Sequence, residues 1–237
     1  MERVSTGIKD LDARLDGGYP TGRSILVIGE SGSGKTLLCL HFIKQACIDG
    51  RKCIYVATEE IAEDLVMQSE SIGCSLQEYL ETGLLTIRRV YEKRAQNVED
   101  ILEFGIEEID SKRCSLLDLA KELDNGCEVA VIDNIGVFAL HMSPHEFRAQ
   151  MDALNYCIHN KGVTSLLVMD EHANTHTGQI AAYSTYGTIK LGVVENPYTN
   201  KKERYLEIIK MRNTPINLQP ILFDITDQGI TFLGDNN

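Results

Sequence analysis

The chain has 237 residues, 43% hydrophobic and 24% charged, with 19 Gly and 5 Pro. This balance excludes collagen-like, Pro-rich and fully disordered classes and suits one large α/β domain over residues 1–237. Asp and Glu outnumber Lys and Arg by 35 to 23, a net charge of −12, which argues against a nucleic-acid partner, because such binders neutralise phosphates with basic side chains.

In chain order, Thr6 is a candidate cap for a short helix over Ile8 to Leu15, ended by Gly17-Gly18. Ser24 to Ile28 is a short apolar run and reads as a buried strand. A Gly-rich turn follows, then an apolar-periodic helix from Lys35 to about Ile48. Cys53 to Ala57 is the next strand, and strand–helix–strand order implies a parallel sheet. Ile61 to Ser71 reads as a helix and Leu84 to Ile87 as a strand. Val98 to Asp124 carries apolar residues at helical spacing and reads as one or two surface helices. Val129 to Ile132 and Ser165 to Met169 are strands flanking a helix over Phe147 to His159. The last third reads as strands over Thr188–Val194, Tyr205–Ile209, Leu222–Ile225 and Ile230–Leu233, with Asp227-Gln228-Gly229 as a hairpin turn. The expected fold class is therefore α/β, with a mostly parallel central sheet and antiparallel strands added at its C-terminal edge.

No apolar run approaches the roughly 20 residues that span a bilayer. The opening Met1-Glu2-Arg3-Val4-Ser5 carries no apolar leader, so the expectation is a cytoplasmic chain with no membrane insertion. The 7 Cys contain no C-x-x-C pair and read as reduced, small hydrophobes.

Gly29-Glu30-Ser31-Gly32-Ser33-Gly34-Lys35-Thr36 fits G-x-x-x-x-G-K-[ST] in full, with a strand before it and a helix after it. Glycines let backbone N–H groups turn inward around phosphate oxygens, and the following helix points its positive end at the same anion. Lys35 supplies a mobile cation for the β and γ phosphates, and Thr36 a hydroxyl for Mg²⁺. Asp133 ends the apolar strand Val129 to Ile132, the pattern of a metal-side carboxylate. Asn134 follows it, so no acid adjoins Asp133 to act as a base. Glu59 and Glu60, just beyond the strand after the P-loop helix, are the candidates for activating a water.

The order of motifs resembles RecA-superfamily ATPases of the KaiC type. Val4-Ser5-Thr6-Gly7-Ile8-Lys9-Asp10-Leu11-Asp12, Leu15-Asp16-Gly17-Gly18 and Pro20-Thr21-Gly22 precede the P-loop at that family's spacing. Tyr55 to Glu60 is similar to its strand with a glutamate pair, and Ile208 to Thr214 to its Lys-Met-Arg-Gly-Thr segment. Phe223 to Ile230 is similar to its closing hairpin. The resemblance covers almost the whole chain. It implies a RecA-like core, Mg-ATP hydrolysis, and a homo-oligomeric ring, often hexameric, with ATP between subunits. Glu59 and Glu60 would match the water-activating acids. Lys210 and Arg212 would match cations that reach a neighbour's γ-phosphate, where positive charge stabilises the transition state. Asn213 stands where that family has Gly; Asn tolerates the left-handed backbone.

Two His pairs at four-residue spacing, His141 with His145 and His172 with His176, are the candidate metal ligands outside the P-loop. Ser184-Thr185 lies near where, the resemblance implies, the double-domain clock member of that family carries a phosphorylated Ser-Thr pair in its second domain. Three functions fit the resemblance. The first is a ring-forming ATPase that changes shape or releases a protein partner on hydrolysis. The second is a non-hydrolysing, ATP-gated scaffold resembling the FlaH-like accessory protein of archaeal motility. The third is a RadA-like recombinase, opposed by the net charge and by the lack of a Lys/Arg run between Glu171 and Tyr183.

Overall fold

A computed structural model describes residues 1–90, 115–123, 126–140, 142–171 and 175–233. The elements are β1 (Arg3–Val4), α1 (Lys9–Arg14), β2 (Tyr19–Pro20), β3 (Ser24–Gly29), α2 (Lys35–Ile48), β4 (Cys53–Ala57), α3 (Ala62–Ser71), α4 (Gln77–Glu81) and β5 (Leu85–Arg89). Then come α5 (Leu116–Glu122), β6 (Val129–Asp133), α6 (Gly136–Ala139), α7 (Pro144–Lys161), β7 (Thr164–Asp170), α8 (Thr175–Ser184), β8 (Gly187–Glu195), β9 (Lys202–Met211), β10 (Ile221–Thr226) and β11 (Gly229–Phe232).

A nine-stranded sheet runs β11-β10-β9-β8-β3-β7-β6-β4-β5. From β5 to β8 all neighbours are parallel, and β9, β10 and β11 add antiparallel. The mostly parallel sheet with C-terminal antiparallel strands is as expected, with one refinement: β8 still pairs parallel with β3, so the reversal begins at β9. The helix α2 also does not return the chain to a neighbouring strand. β7 and β6 lie between β3 and β4, which opens space above the middle of the sheet for a site.

Alternation along the central strands sends successive residues to two apolar layers. Ile25 and Val27 pack with Leu38 and Phe42 of α2, whereas Leu26 packs with Phe147, Met151, Leu154 and Ile158 of α7. Those four α7 residues share one face by helical spacing. The helix begins three residues before the expected Phe147, because Pro144 fits the first turn and the Ser143 hydroxyl accepts from Glu146 N–H at 3.2 Å. Gly162, at φ +69°, ends it.

One local expectation is corrected, and one helix is added. Thr6 is not the cap of α1: the N-cap is Ile8, and the Thr6 hydroxyl accepts from Ile8 N–H at 3.1 Å and donates to Ile8 O, a closed turn just ahead of the helix. The segment after β7 forms helix α8, whose weak apolar pattern hid it. The described end of the 98–124 stretch, α5, is amphipathic as a surface helix is: Leu116 and Leu119 are fully buried and Leu117 is exposed. Residues 98–114 lie outside the described residues, as do His141 and His172. All described cysteines are free; Cys157 is partly exposed and the others are buried. Among the described residues no helix is long and apolar enough to cross a membrane.

Candidate functional site

The phosphate cradle is the loop between β3 and α2. Gly29 must be glycine, because a Cβ there would lie 2.2 Å from the Leu191 carbonyl oxygen of the paired strand β8. Gly34, at φ +104°, is the N-cap of α2 and turns the chain into the helix. Its missing Cβ would rest 3.6 Å from Phe223 and Ile225 of β10, so the C-terminal hairpin walls one side of the loop. That hairpin is tied to the same helix from beneath. The His41 Nε2 of α2 accepts from Ile230 N–H at 2.9 Å, and burial lowers its pKa to about 4, with the Lys44 charge adding to the shift.

Lys35 is buried and folds back over the loop. Its Nζ donates to Gly29 O at 3.0 Å and Glu30 O at 2.9 Å, and pairs with Asp170 Oδ1 at 2.8 Å. Asp170 ends β7, the strand beside β3. Arg204 of β9 donates from Nε to Gly32 O at 3.5 Å. Above the loop opens a cleft of about 420 Å³, lined by Ser31, Gly32, Lys35, Thr36, Glu59 and Asp133 among others.

Asp133 Oδ2 accepts two hydroxyls, Thr36 Oγ1 and Tyr55 Oη, each at 2.8 Å. Burial raises its pKa, and these two bonds pull it back toward the ionised form. Thr36 and Asp133 thus bring only oxygen donors together at the foot of the cradle, a set that suits a hard cation such as Mg²⁺. Glu59 and Glu60 stand at the cleft mouth. Partial burial is the largest cause raising both pKa values, and the Asp133 charge adds to it in each. Asn134 Nδ2 donates to Glu59 Oε2 at 3.1 Å and to Asp170 Oδ2 at 2.9 Å.

The family model described as "ATPase: KaiC" matches residues 4–237. The chain belongs to the KaiC ATPase family. Among its relatives, a UPF0273 protein of Methanopyrus kandleri is 28% identical over 233 residues, covering 97% of this chain and 91% of that one. The circadian clock protein KaiC2 of Synechocystis is 46% identical over 86 residues, covering 36% of this chain and 15% of its own length. The crystal structure of a KaiC-like protein from the hyperthermophilic archaeon Pyrococcus horikoshii superposes with a TM-score of 0.77 at 27% identity, covering 98% of this chain and 99% of that one. The chain is thus of the short, archaeal KaiC-like type, with a RecA-superfamily fold.

Within this KaiC-type fold, Gly29 to Thr36, Asp133, Glu59 and Glu60 converge on one cleft. Lys210 and Arg212 do not join them. Lys210 pairs across β9 with Thr188 at the start of β8, and Arg212 N–H donates to Tyr186 O at 3.2 Å, level with Ser24. Gly29 is five residues further along β3, roughly 16 Å away at about 3.3 Å per residue. Lys210 Nζ donates to the carbonyls of Ala182 and, at 2.7 Å, Thr185. Desolvation lowers its pKa to about 8, with the Arg212 charge second. Arg212 is exposed and reaches Tyr183 O at 3.4 Å. Asn213 adopts the left-handed backbone, φ +54°, that its residue type allows. The Thr185 hydroxyl is fully buried and donates to Ala181 O at 3.0 Å, and the Ser184 hydroxyl is buried too, so neither is presented for modification.

Sequence reasoning missed Tyr55, Asn134, Asp170 and Arg204. Asp170 carried a usable signal: like Asp133, it ends an apolar strand. Tyr55 carried none, being one apolar-looking residue inside a buried strand.

Proposed function

We propose that this chain binds Mg-ATP at the Gly29–Thr36 loop and hydrolyses it slowly as one domain of a head-to-tail ring, hexameric in the form the family resemblance implies, that switches an unidentified protein partner. The observation that carries this reading is the convergence of Lys35, Thr36, Asp133 and Glu59 on one cleft. The loop N–H groups and the α2 terminus hold the phosphates. Lys35 leaves Asp170 for the β and γ oxygens. Thr36 and Asp133 would hold Mg²⁺, which when bound neutralises charge developing on the phosphate oxygens. Glu59 accepts a proton from the attacking water as the water oxygen bonds to the γ-phosphorus. The bond from that phosphorus to the bridging oxygen breaks, and ADP leaves with the electron pair.

Four carboxylates, Glu59, Glu60, Asp133 and Asp170, crowd this end of the sheet, while Lys210 and Arg212 lie at the other. That separation supports a trans arrangement. A heterologous interface sets one copy's far end against the next copy's cradle and closes as a ring.

The test is phosphate release from Mg-ATP by the whole chain. Glu59→Gln is expected to keep ATP bound and to slow turnover by roughly 10²–10⁴-fold. Single-stranded DNA is expected to leave the rate unchanged. Wild-type protein with no turnover above the spontaneous rate overturns the enzyme reading in favour of an ATP-gated scaffold. A slow Glu60→Gln beside a normal Glu59→Gln moves the base by one position.

A further inference from the structure

Asn134 holds the most constrained polar side chain of the site, and nothing in the hydrolysis reading uses it. It is 2% exposed. Its Nδ2 spends both hydrogens on carboxylates, Glu59 Oε2 at 3.1 Å and Asp170 Oδ2 at 2.9 Å. Its Oδ1 accepts from Gly136 N–H at 2.6 Å. The amide orientation follows from these partners. A flipped group would set an oxygen against two carboxylates and an NH₂ against an N–H. The backbone is locked as well: Asn134 N–H donates to Thr58 Oγ1 at 2.5 Å, and Thr58 Oγ1 donates to Asn134 O at 2.8 Å. Asp170, the far partner of the amide, is itself held by Lys35 at 2.8 Å.

The two glutamates are thereby made unequal. Glu59 is held by one oxygen, with Oε1 turned to no protein donor among the described residues. Glu60 makes no hydrogen bond among them. A general base must stay within hydrogen-bond reach of the water it deprotonates, and a carboxylate held by one oxygen keeps the other in register.

We propose that Asn134 is a positioning residue that makes Glu59, and not Glu60, the water-activating carboxylate, by bridging Glu59 to Asp170 at the end of the neighbouring strand β7. The inference rests on the hydrolysis reading and names the residue that selects its base. The Asn134 amide spends its hydrogen bonds on Glu59, Asp170 and Gly136 N–H, so it acts through Glu59. A shift of about 1 Å in a reacting group can cost roughly 10²-fold in rate, which bounds the expected effect.

The experiment is a pair of double-mutant comparisons on the whole chain, read as single-turnover hydrolysis together with binding of a fluorescent ATP analogue. Asn134→Ser removes the bridge. Asn134→Thr keeps a hydroxyl acceptor for Gly136 N–H, adds no charge beside the two carboxylates, and serves if the serine variant does not fold. Either variant is expected to lower turnover roughly 10–100-fold with nucleotide affinity unchanged. Placed in Glu59→Gln, the substitution is expected to add nothing, and in Glu60→Gln it is expected to show its full effect. Equal losses in both backgrounds, or a loss of affinity in place of rate, overturn the proposal, because they mark a structural role. If wild-type protein shows no turnover, the hydrolysis reading fails on its own. The positioning claim is then read from the carboxyl ¹³C signals of labelled, nucleotide-free protein. Asn134→Ser is expected to move the Glu59 signal and leave that of Glu60 in place, and an unmoved Glu59 signal overturns it.

Discussion

The two ends of the parallel sheet carry opposite charge and opposite kinds of order. At the C-terminal end of the strands, Glu59, Glu60, Asp133 and Asp170 line one cleft with the buried Lys35, and side-chain hydrogen bonds tie Lys35, Asp133, Asp170 and Glu59 into it. At the N-terminal end, Lys210 and the exposed Arg212 stand by the last turn of α8, held by carbonyls alone. The first end is rich in negative charge; the second carries two cations with no carboxylate partner among the described residues. In the proposed ring the two ends would meet between copies, where Coulomb attraction across an interface also fixes register.

The largest blow to this comparison comes at the cradle. Lys35→Ala is expected to abolish ATP binding in calorimetric titration, since it removes the cation buried among those carboxylates. Unchanged affinity would remove the phosphate assignment from the acidic end. At the basic end, Arg212→Ala is expected to leave ATP binding intact and to cut turnover by roughly 10³-fold or more. Mixing it with Lys35→Ala sharpens the contrast. Some interfaces then join an intact cradle to an intact cation, so activity returns in part. No recovery at any ratio, with a monomeric ATP-bound wild type, would make the two ends independent.

A third probe loosens one end only. His41 is neutral in the fold, its pKa near 4 against 6.5 unperturbed. The unfolded chain therefore binds the extra proton first, and the stability this group contributes is present above pH 6.5 and lost as pH falls to 4. The loss amounts to about 3 kcal/mol at roughly 1.36 kcal/mol per unit. It is read as the difference between wild type and His41→Gln in urea unfolding across that window. Equal slopes in both proteins would refute it. The smallest expected effect concerns Lys210, whose pKa is lowered to about 8. Turnover is expected to fall about fivefold between pH 8 and 9 as this cation deprotonates, and Lys210→Arg, always charged, is expected to flatten that limb. An unchanged limb in Lys210→Arg would assign it elsewhere.

Much of the acidic end was legible residue by residue. Gly29 to Thr36 announces itself because a phosphate cradle demands glycines, Lys and Thr at fixed spacing next to a strand and a helix, all of it local in sequence. Asp133 follows from the apolar strand it ends. Asn134 was legible only as the absence of an acid, because its bridge joins Glu59 and Asp170, 75 residues before it and 36 after it. α8 escaped notice because its sequence, Thr175 to Ser184, mixes Thr, Gly and Gln with few apolar anchors; packing against α7 makes it a helix rather than its own periodicity.

The sequence by itself determined the alternation of strands and helices, the P-loop with its cation and metal-side oxygens, and the family to which they belong. These depend on chain-local chemistry: side-chain period, glycine spacing and capping. Only the tertiary structure decided that β7 and β6 separate β3 from β4, that Asp170 reaches Lys35, and that Arg212 lies a full strand length from the cradle. Strand order is set by which apolar faces pack and which crossovers close around them, and no local pattern encodes that choice. It is this order that gathers the carboxylates at one end of the sheet and leaves the cations at the other.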